Sequence, residues 1–198
     1  MEITFQMCLN FCISSDCTDT LDVRTRIEKA GNAFGALSEN IFRSLIVSIT
    51  AKSFVYQMIV FTILLYGSES WCLTEALVQE LSCFHSRCMR AMCRVTRKHT
   101  RIHRISNADL QKRLDLRPIK SYLTRRQLRW AGHVSRMSFN RLPRKMLSSW
   151  VRSKRPRGAP QMTYGRTIKR LLKCANIEVD SWHILAADRL SWKKTIAI

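Results

Sequence analysis

Acidic residues are scarce in this 198-residue chain, 14 against 34 lysines and arginines, and no two of them are adjacent. The adjacent aspartates that hold two metal ions in polymerases are therefore missing. The six glycines form no phosphate-cradling loop, and neither a Gly-x-Ser-x-Gly elbow nor a His-Glu-x-x-His helix occurs. The five histidines (His85, His99, His103, His133, His183) are scattered among cations rather than carboxylates, so no self-contained active site is expected. A 20-residue apolar run, the length a membrane helix needs, is also lacking. The longest uncharged stretch, Ser53 to Ser68, has 16 residues and contains Gln57, Thr62 and Tyr66-Gly67. It reads as a buried core helix, with a membrane anchor over 53–66 as the alternative.

Eight cysteines are present, at Cys8, Cys12, Cys17, Cys72, Cys83, Cys88, Cys93 and Cys174, in no paired spacing. Glu2 stands where the positive region of a secretory signal belongs. Reduced thiols in a nuclear or cytoplasmic protein are the expectation. Zinc is not expected. Cys83, Cys88 and Cys93 are five apart, and five residues of helix turn by about 500°, so the three sulfurs fan around the axis. His85 and Cys88 could share a face, but two ligands are half of a structural site. Cys88 is better read as a small core residue.

What the chain has is positive charge, concentrated in one half. Residues 1–100 hold 10 basic and 9 acidic side chains, whereas residues 101–198 hold 24 and 5. At 46% hydrophobic the chain can still bury a core. Such asymmetry points to nucleic acid first and an acidic membrane surface second. Periodicity gives helices and very little strand, so the expected fold is all-α. Val23, Ile27, Ala30, Phe34 and Leu37 mark one amphipathic helix, with Asp19 or Thr20 as its cap. A second, more deeply buried helix spans about 51–65, ended by Gly67. A third is capped by Thr74, with Leu77, Leu81, Phe84, Cys88, Ala91 and Val95 as its stripe. Further helices are expected near 107–115, 118–137, 141–151, 162–175 and 179–196. The segment 152–161, rich in Pro, Gly and basic residues, reads as a loop.

The helix through 119–137 carries two arcs. Arg126, Arg129, His133 and Arg136 recur at spacings 3, 4, 3, and Ile119, Leu123, Trp130, Val134 and Met137 lie beside them. A cationic arc next to a docking face suits a helix laid along a phosphate backbone. The competing reading is a solvated charged face on a structural helix. Trp130, Trp150, Trp182 and Trp192 read more readily as core residues than as base-stacking platforms.

A series of motifs in order also resembles a known family. Leu64-Leu-Tyr-Gly-Ser-Glu-Ser-Trp71 looks like the motif that follows the palm in non-LTR (LINE-type) retrotransposon reverse transcriptases. Upstream lies the helix Arg26 to Leu37. Downstream come Phe84-His-Ser-Arg-Cys-Met-Arg90, the block Arg125-Arg-Gln-Leu-Arg-Trp-Ala-Gly-His-Val-Ser-Arg-Met137, Arg141-Leu-Pro-Arg144, Arg155-Pro-Arg-Gly158 and Ala187-Asp-Arg-x-x-Trp192. The match runs from about 10 to 196.

The resemblance implies a thumb and post-thumb region, with the catalytic palm and the endonuclease N-terminal to residue 1. It divides the chain into a stub of the palm-to-thumb passage (1–20), a thumb-like helical bundle (21–96) and a basic nucleic-acid-binding region (97–198). It further implies RNA or DNA as partner, with no cofactor, metal or small-molecule substrate and no catalytic residue in this chain. The candidate nucleic-acid contacts are Arg125, Arg126, Arg129, His133, Arg136, Arg141, Arg144, Lys145, Lys154, Arg155 and Arg157. Tyr66, Gly67, Trp71, Phe84, Cys88, Trp130 and Gly132 are the structural members of the motifs. The rival readings are an accessory part of an active reverse transcriptase and a small basic membrane-surface protein.

Overall fold

The computed structural model describes residues 7–8, 11–12, 19–148 and 164–197. The fold is all-α. Among the described residues the one departure is an antiparallel pairing of Met7–Cys8 with Phe11–Cys12. The expected 152–161 loop and the rest of the 1–20 stub except its last two residues lie outside the described residues. The helices are α1 (Thr20–Ala36), α2 (Ile49–Val55), α3 (Phe61–Leu64), α4 (Glu75–Met92), α5 (Arg97–Ile102), α6 (Asn107–Leu114), α7 (Ile119–Ser135), α8 (Leu142–Ser148), α9 (Tyr164–Cys174), α10 (Trp182–Ala187) and α11 (Arg189–Thr195). Two π-helical stretches, Ser38–Phe42 and Tyr56–Val60, complete the set, and the second joins α2 to α3. The chain groups into two compact units. Residues up to Gly67 go with Thr74–Lys120, and Ser68–Leu73 go with the chain from Ser121 onward.

Local sequence explains why the helices stop and start where they do. Ser48, Thr74, Thr96 and Ser106 each accept the backbone N–H three residues on, which satisfies one orphan donor of the first turn. Ser106 and Asp109 close a full capping box. At the other end, α4, α5, α6 and α9 finish on Arg94, Arg104, Asp115 and Asn176, all with positive φ. In each case the next residue (Val95, Ile105, Leu116 or Ile177) donates its N–H back five positions to close the helix. None of these four is glycine. Arg94-Val95-Thr96 and Arg104-Ile105-Ser106 are thus the same joint used twice, a left-handed residue, an apolar residue and a cap for the next helix.

In the first unit, α1 packs on α3 and α4, and α6 on α2 and α4. Phe34 stacks on Phe42 at 4.3 Å between ring centroids, and Tyr56, Phe61 and His85 extend the aromatic cluster. Buried Val23, Ala30, Val60, Leu64, Leu81, Phe84, Cys88 and Met89 fill the space around it. The stripe expected on α4 is the buried one as far as Cys88, joined by His85, Met89 and Met92. Burial pushes the Cys88 thiol up to about 12, as suits a small core residue.

Two sequence expectations need correction here. The 51–65 helix is not deeply buried all round: Phe54, Met58 and Ile59 are exposed, and Ile49, Leu45 and Ile46 extend that surface. The run has apolar residues on every side, but a helix turns only one side inward, here Tyr56, Val60, Phe61 and Leu64. Buried charge was also not foreseen. Arg26 and Asp22, one turn apart on α1, lie 3.5 Å from each other with both side chains nearly inaccessible, and the Arg26 guanidinium sits 4.7 Å over the Tyr66 ring. Lys52 is likewise buried, its Nζ donating to the Ser44 carbonyl at 2.6 Å.

The second unit has its own core. Leu128 and Ala131 of α7, Ile168, Leu171 and Leu172 of α9, and Ile177, Ala186, Trp192 and Ile196 form one cluster, with Trp182 against it 5.8 Å from Trp192. Trp192 is therefore a core residue. Trp150 lies outside the described residues.

Candidate nucleic-acid interface

The interface begins with how Ser68–Leu73 is held. The Gln127 side chain, 2% exposed, donates to the Ser68 carbonyl at 3.0 Å and the Trp71 carbonyl at 2.8 Å. Arg126 bonds Glu69 at 3.2 Å, and Arg170 donates to the Leu73 carbonyl. Trp71 itself is 1% exposed. The segment bearing Glu69 and Trp71 and the block bearing Arg126 and Gln127, far apart in sequence, thus meet in one unit.

A second joint fixes α11 on α7. The Trp192 Nε1–H donates to the Leu128 carbonyl at 3.0 Å, and its indole covers Gly132 so closely that a Cβ there would lie 2.1 Å from Nε1. Gly132 is required for this contact, not for a turn, since it stands inside a helix. Arg136 adds a bond to the Ala186 carbonyl at the end of α10. Asp188 then caps α11. The Ser191 hydroxyl and the N–H groups of Leu190 and Ser191 hold its carboxyl below the ordinary aspartate range.

These joints leave a cleft of about 990 Å³, wholly inside the second unit. Helix α7 contributes Arg125, Arg126, Arg129, Trp130, His133 and Arg136; α11 contributes Arg189, Leu190, Trp192 and Lys193, and Glu69 and Ile196 complete the lining. Six fixed cations therefore face one carboxylate. Arg125, Arg129, Arg189 and Lys193 are exposed, whereas Arg126 is engaged by Glu69. Guanidinium groups present a rigid fork of donors suited to phosphate oxygens, and a concave wall of one sign concentrates the field.

The structure brings together Arg125, Arg126, Arg129, His133 and Arg136 but not Arg141, Arg144 and Lys145. Arg141 and Lys145 are exposed outside the cleft, and Arg144 lies over the Phe139 ring at 4.9 Å. Lys154, Arg155 and Arg157 lie outside the described residues. Among the motif residues, Tyr66 is exposed under Arg26, Gly67 has φ 75° just after α3, and Phe84 is 5% exposed. Cys83 is exposed, Cys88 buried and Cys93 half-buried, so the three thiols face different surroundings.

Of the apolar arc expected on α7, Ile119, Leu123 and Val134 are buried, whereas Trp130 and Met137 are only half-buried. The buried face of α7 is Ile119, Leu123, Thr124, Gln127, Leu128, Ala131 and Val134, with two polar residues in it. Trp130 is half-buried on the cleft wall, its ring 5.4 Å from that of His133. Gln127 belongs to the buried face because its amide finds two carbonyl acceptors there, which helical spacing alone does not announce. Sequence reasoning also missed Arg189 and Lys193. Their signal was their i, i+4 spacing on either side of Trp192, which puts both on one face once the tryptophan is docked.

Among the described residues no helix is long and apolar enough to cross a membrane. No protein family matches the chain, and no solved structure does. Among curated proteins, the chain is 26% identical over 157 residues to an uncharacterized transposon-derived protein of Caenorhabditis elegans, which covers 75% of this chain. The chain spans about half, 56%, of that relative's length. The likeness supports a transposon-related origin.

Proposed function

We propose that the chain is the thumb and post-thumb portion of a non-LTR retrotransposon reverse transcriptase and that the α7–α11 cleft binds a nucleic-acid backbone without chemistry of its own. The observation that carries this reading is the cleft: six fixed cations from two helices, locked together by Trp192 on Gly132. The resemblance of the motif series and the transposon-derived relative support the same origin. The cleft's cations act by displacing counterions from phosphates, which gives sequence-tolerant, salt-sensitive binding. The chain has no adjacent carboxylates to hold catalytic metals, so its part is to grip rather than to polymerise.

Titration of the full chain with fluorescent RNA and DNA oligonucleotides over a salt series tests the reading. Affinity should fall steeply and log-linearly with salt for both. Binding that is absent, or indifferent to salt, overturns the proposal. A primer-extension assay with magnesium and deoxynucleotides should show no elongation above a mock preparation, and elongation would contradict the non-catalytic role.

A further inference from the structure

The cleft contains more than charge. Trp130 stands on its wall with its ring tilted 44° to that of His133, and Leu190 is 70% exposed between Arg189 and Lys193. Phosphate oxygens are met by charged donors and gain nothing from an indole or an exposed leucine. Such surface finds a use when the bound molecule carries flat apolar faces as well as phosphates. In a duplex the base faces are stacked inside the helix and only their edges reach the grooves. In a single strand each base offers a free face, and aromatic rings within a cationic groove are the usual means of holding it.

Resting on the cleft reading above, we propose that this site selects single-stranded over duplex nucleic acid. Trp130 is the platform on which one unpaired base stacks, and Arg125, Arg129 and Lys193 hold the phosphates on either side. His133, in contact with the indole, fixes the orientation of the ring. The site ignores base identity, because every base has a stacking face. It distinguishes paired from unpaired bases, because only unpaired ones can turn toward the wall.

The test is fluorescence anisotropy of the full chain, at one salt concentration, with a 12-nucleotide single strand and a hairpin duplex of equal phosphate number. The single strand should bind more tightly. Trp130→Leu should weaken single-strand binding roughly 5- to 150-fold and duplex binding far less, and Trp130→Phe should restore most of the loss. Equal affinities of the native chain for both forms, or an equal loss for both in Trp130→Leu, overturn the stacking inference while leaving the phosphate cleft standing. Absence of salt-dependent binding to either form instead defeats the cleft reading itself. Should Trp130→Leu lack native helicity, photocrosslinking of an iodouracil strand to the native chain decides. An adduct on Trp130 supports the inference, and adducts confined to other peptides overturn it.

Discussion

Gly132→Ala is a small change in the wrong place. The added Cβ would lie 2.1 Å from Trp192 Nε1 and 2.6 Å from Cδ1, far inside contact distance, and the indole is rigid and 2% exposed. Relief requires moving the ring, which breaks the Nε1–H bond to the Leu128 carbonyl. Overpacking a filled core costs about 1–3 kcal/mol, and the lost buried hydrogen bond about 1–2 kcal/mol more. Alanine is the better helix former by about 1 kcal/mol, which offsets part of this. The net expectation is a loss of about 2–3 kcal/mol in chemical denaturation. A thermodynamic cycle with Trp192→Leu identifies the cause. Once the indole is gone, Gly132→Ala should be neutral or stabilising by up to about 1 kcal/mol, a reversal of sign. If the same loss persists in the Trp192→Leu background, the glycine is needed for something other than the tryptophan and the reasoning fails.

Three further changes probe other joints. Gln127→Leu leaves the Ser68 and Trp71 carbonyls without their donor and should cost about 2–4 kcal/mol by thermal or urea unfolding; a loss below 1 kcal/mol would show that the segment is held by other contacts. Arg94→Gly relieves a left-handed residue at φ 55° and should raise stability by up to about 1 kcal/mol in the same assay, whereas a loss would contradict the strained-cap reading. His85 lies between the Tyr56 hydroxyl, 3.0 Å from Nδ1, and the Arg117 carbonyl, 3.2 Å from Nε2. The carbonyl can only accept, so Nε2 carries the proton and Nδ1 accepts from tyrosine. Burial lowers this histidine to about 4, so the folded chain keeps it neutral while the unfolded chain protonates it near 6.5. Stability is therefore lost as pH falls from 6.5 towards 4. Between pH 7 and pH 5 the native chain should lose about 2 kcal/mol more than His85→Gln, measured by denaturation at both pH values, and parallel losses would refute it.

Helix positions were legible because caps and periodicity are local. Thr74 before Glu75, and Leu77, Leu81, Phe84 and Cys88 in a stripe, define α4 from sequence alone. Helix ends were harder, because Arg94, Arg104, Asp115 and Asn176 take the left-handed conformation that glycine usually signals. The short helix α5 escaped for the same reason: nothing in Arg94-Val95-Thr96 announces a stop followed by a start. The 51–65 run shows the limit of apolarity as a guide, since its apolar residues fall on every side of the helix and do not say which face turns inward. In the cleft, the cations of α7 could be read from spacing, but Arg189 and Lys193 depended on where Trp192 docks. Gly132 stood out as a motif residue, yet its reason is an indole sixty positions away that no local pattern contains.

The central claim is that the α7–α11 cleft, and not the chain's positive charge in general, holds nucleic-acid phosphates. Two charge-matched triple variants of the full chain test it over one salt series: Arg125→Gln with Arg129→Gln and Lys193→Gln in the cleft, and Arg97→Gln with Lys98→Gln and Arg101→Gln on exposed α5. Each phosphate contact removed lowers the slope of log affinity against log salt by roughly 0.7–0.9. The cleft variant should lose about 2–3 from the slope and the α5 variant close to none. Equal slopes in the two variants would mean that binding follows net charge alone, and the cleft would not be the interface.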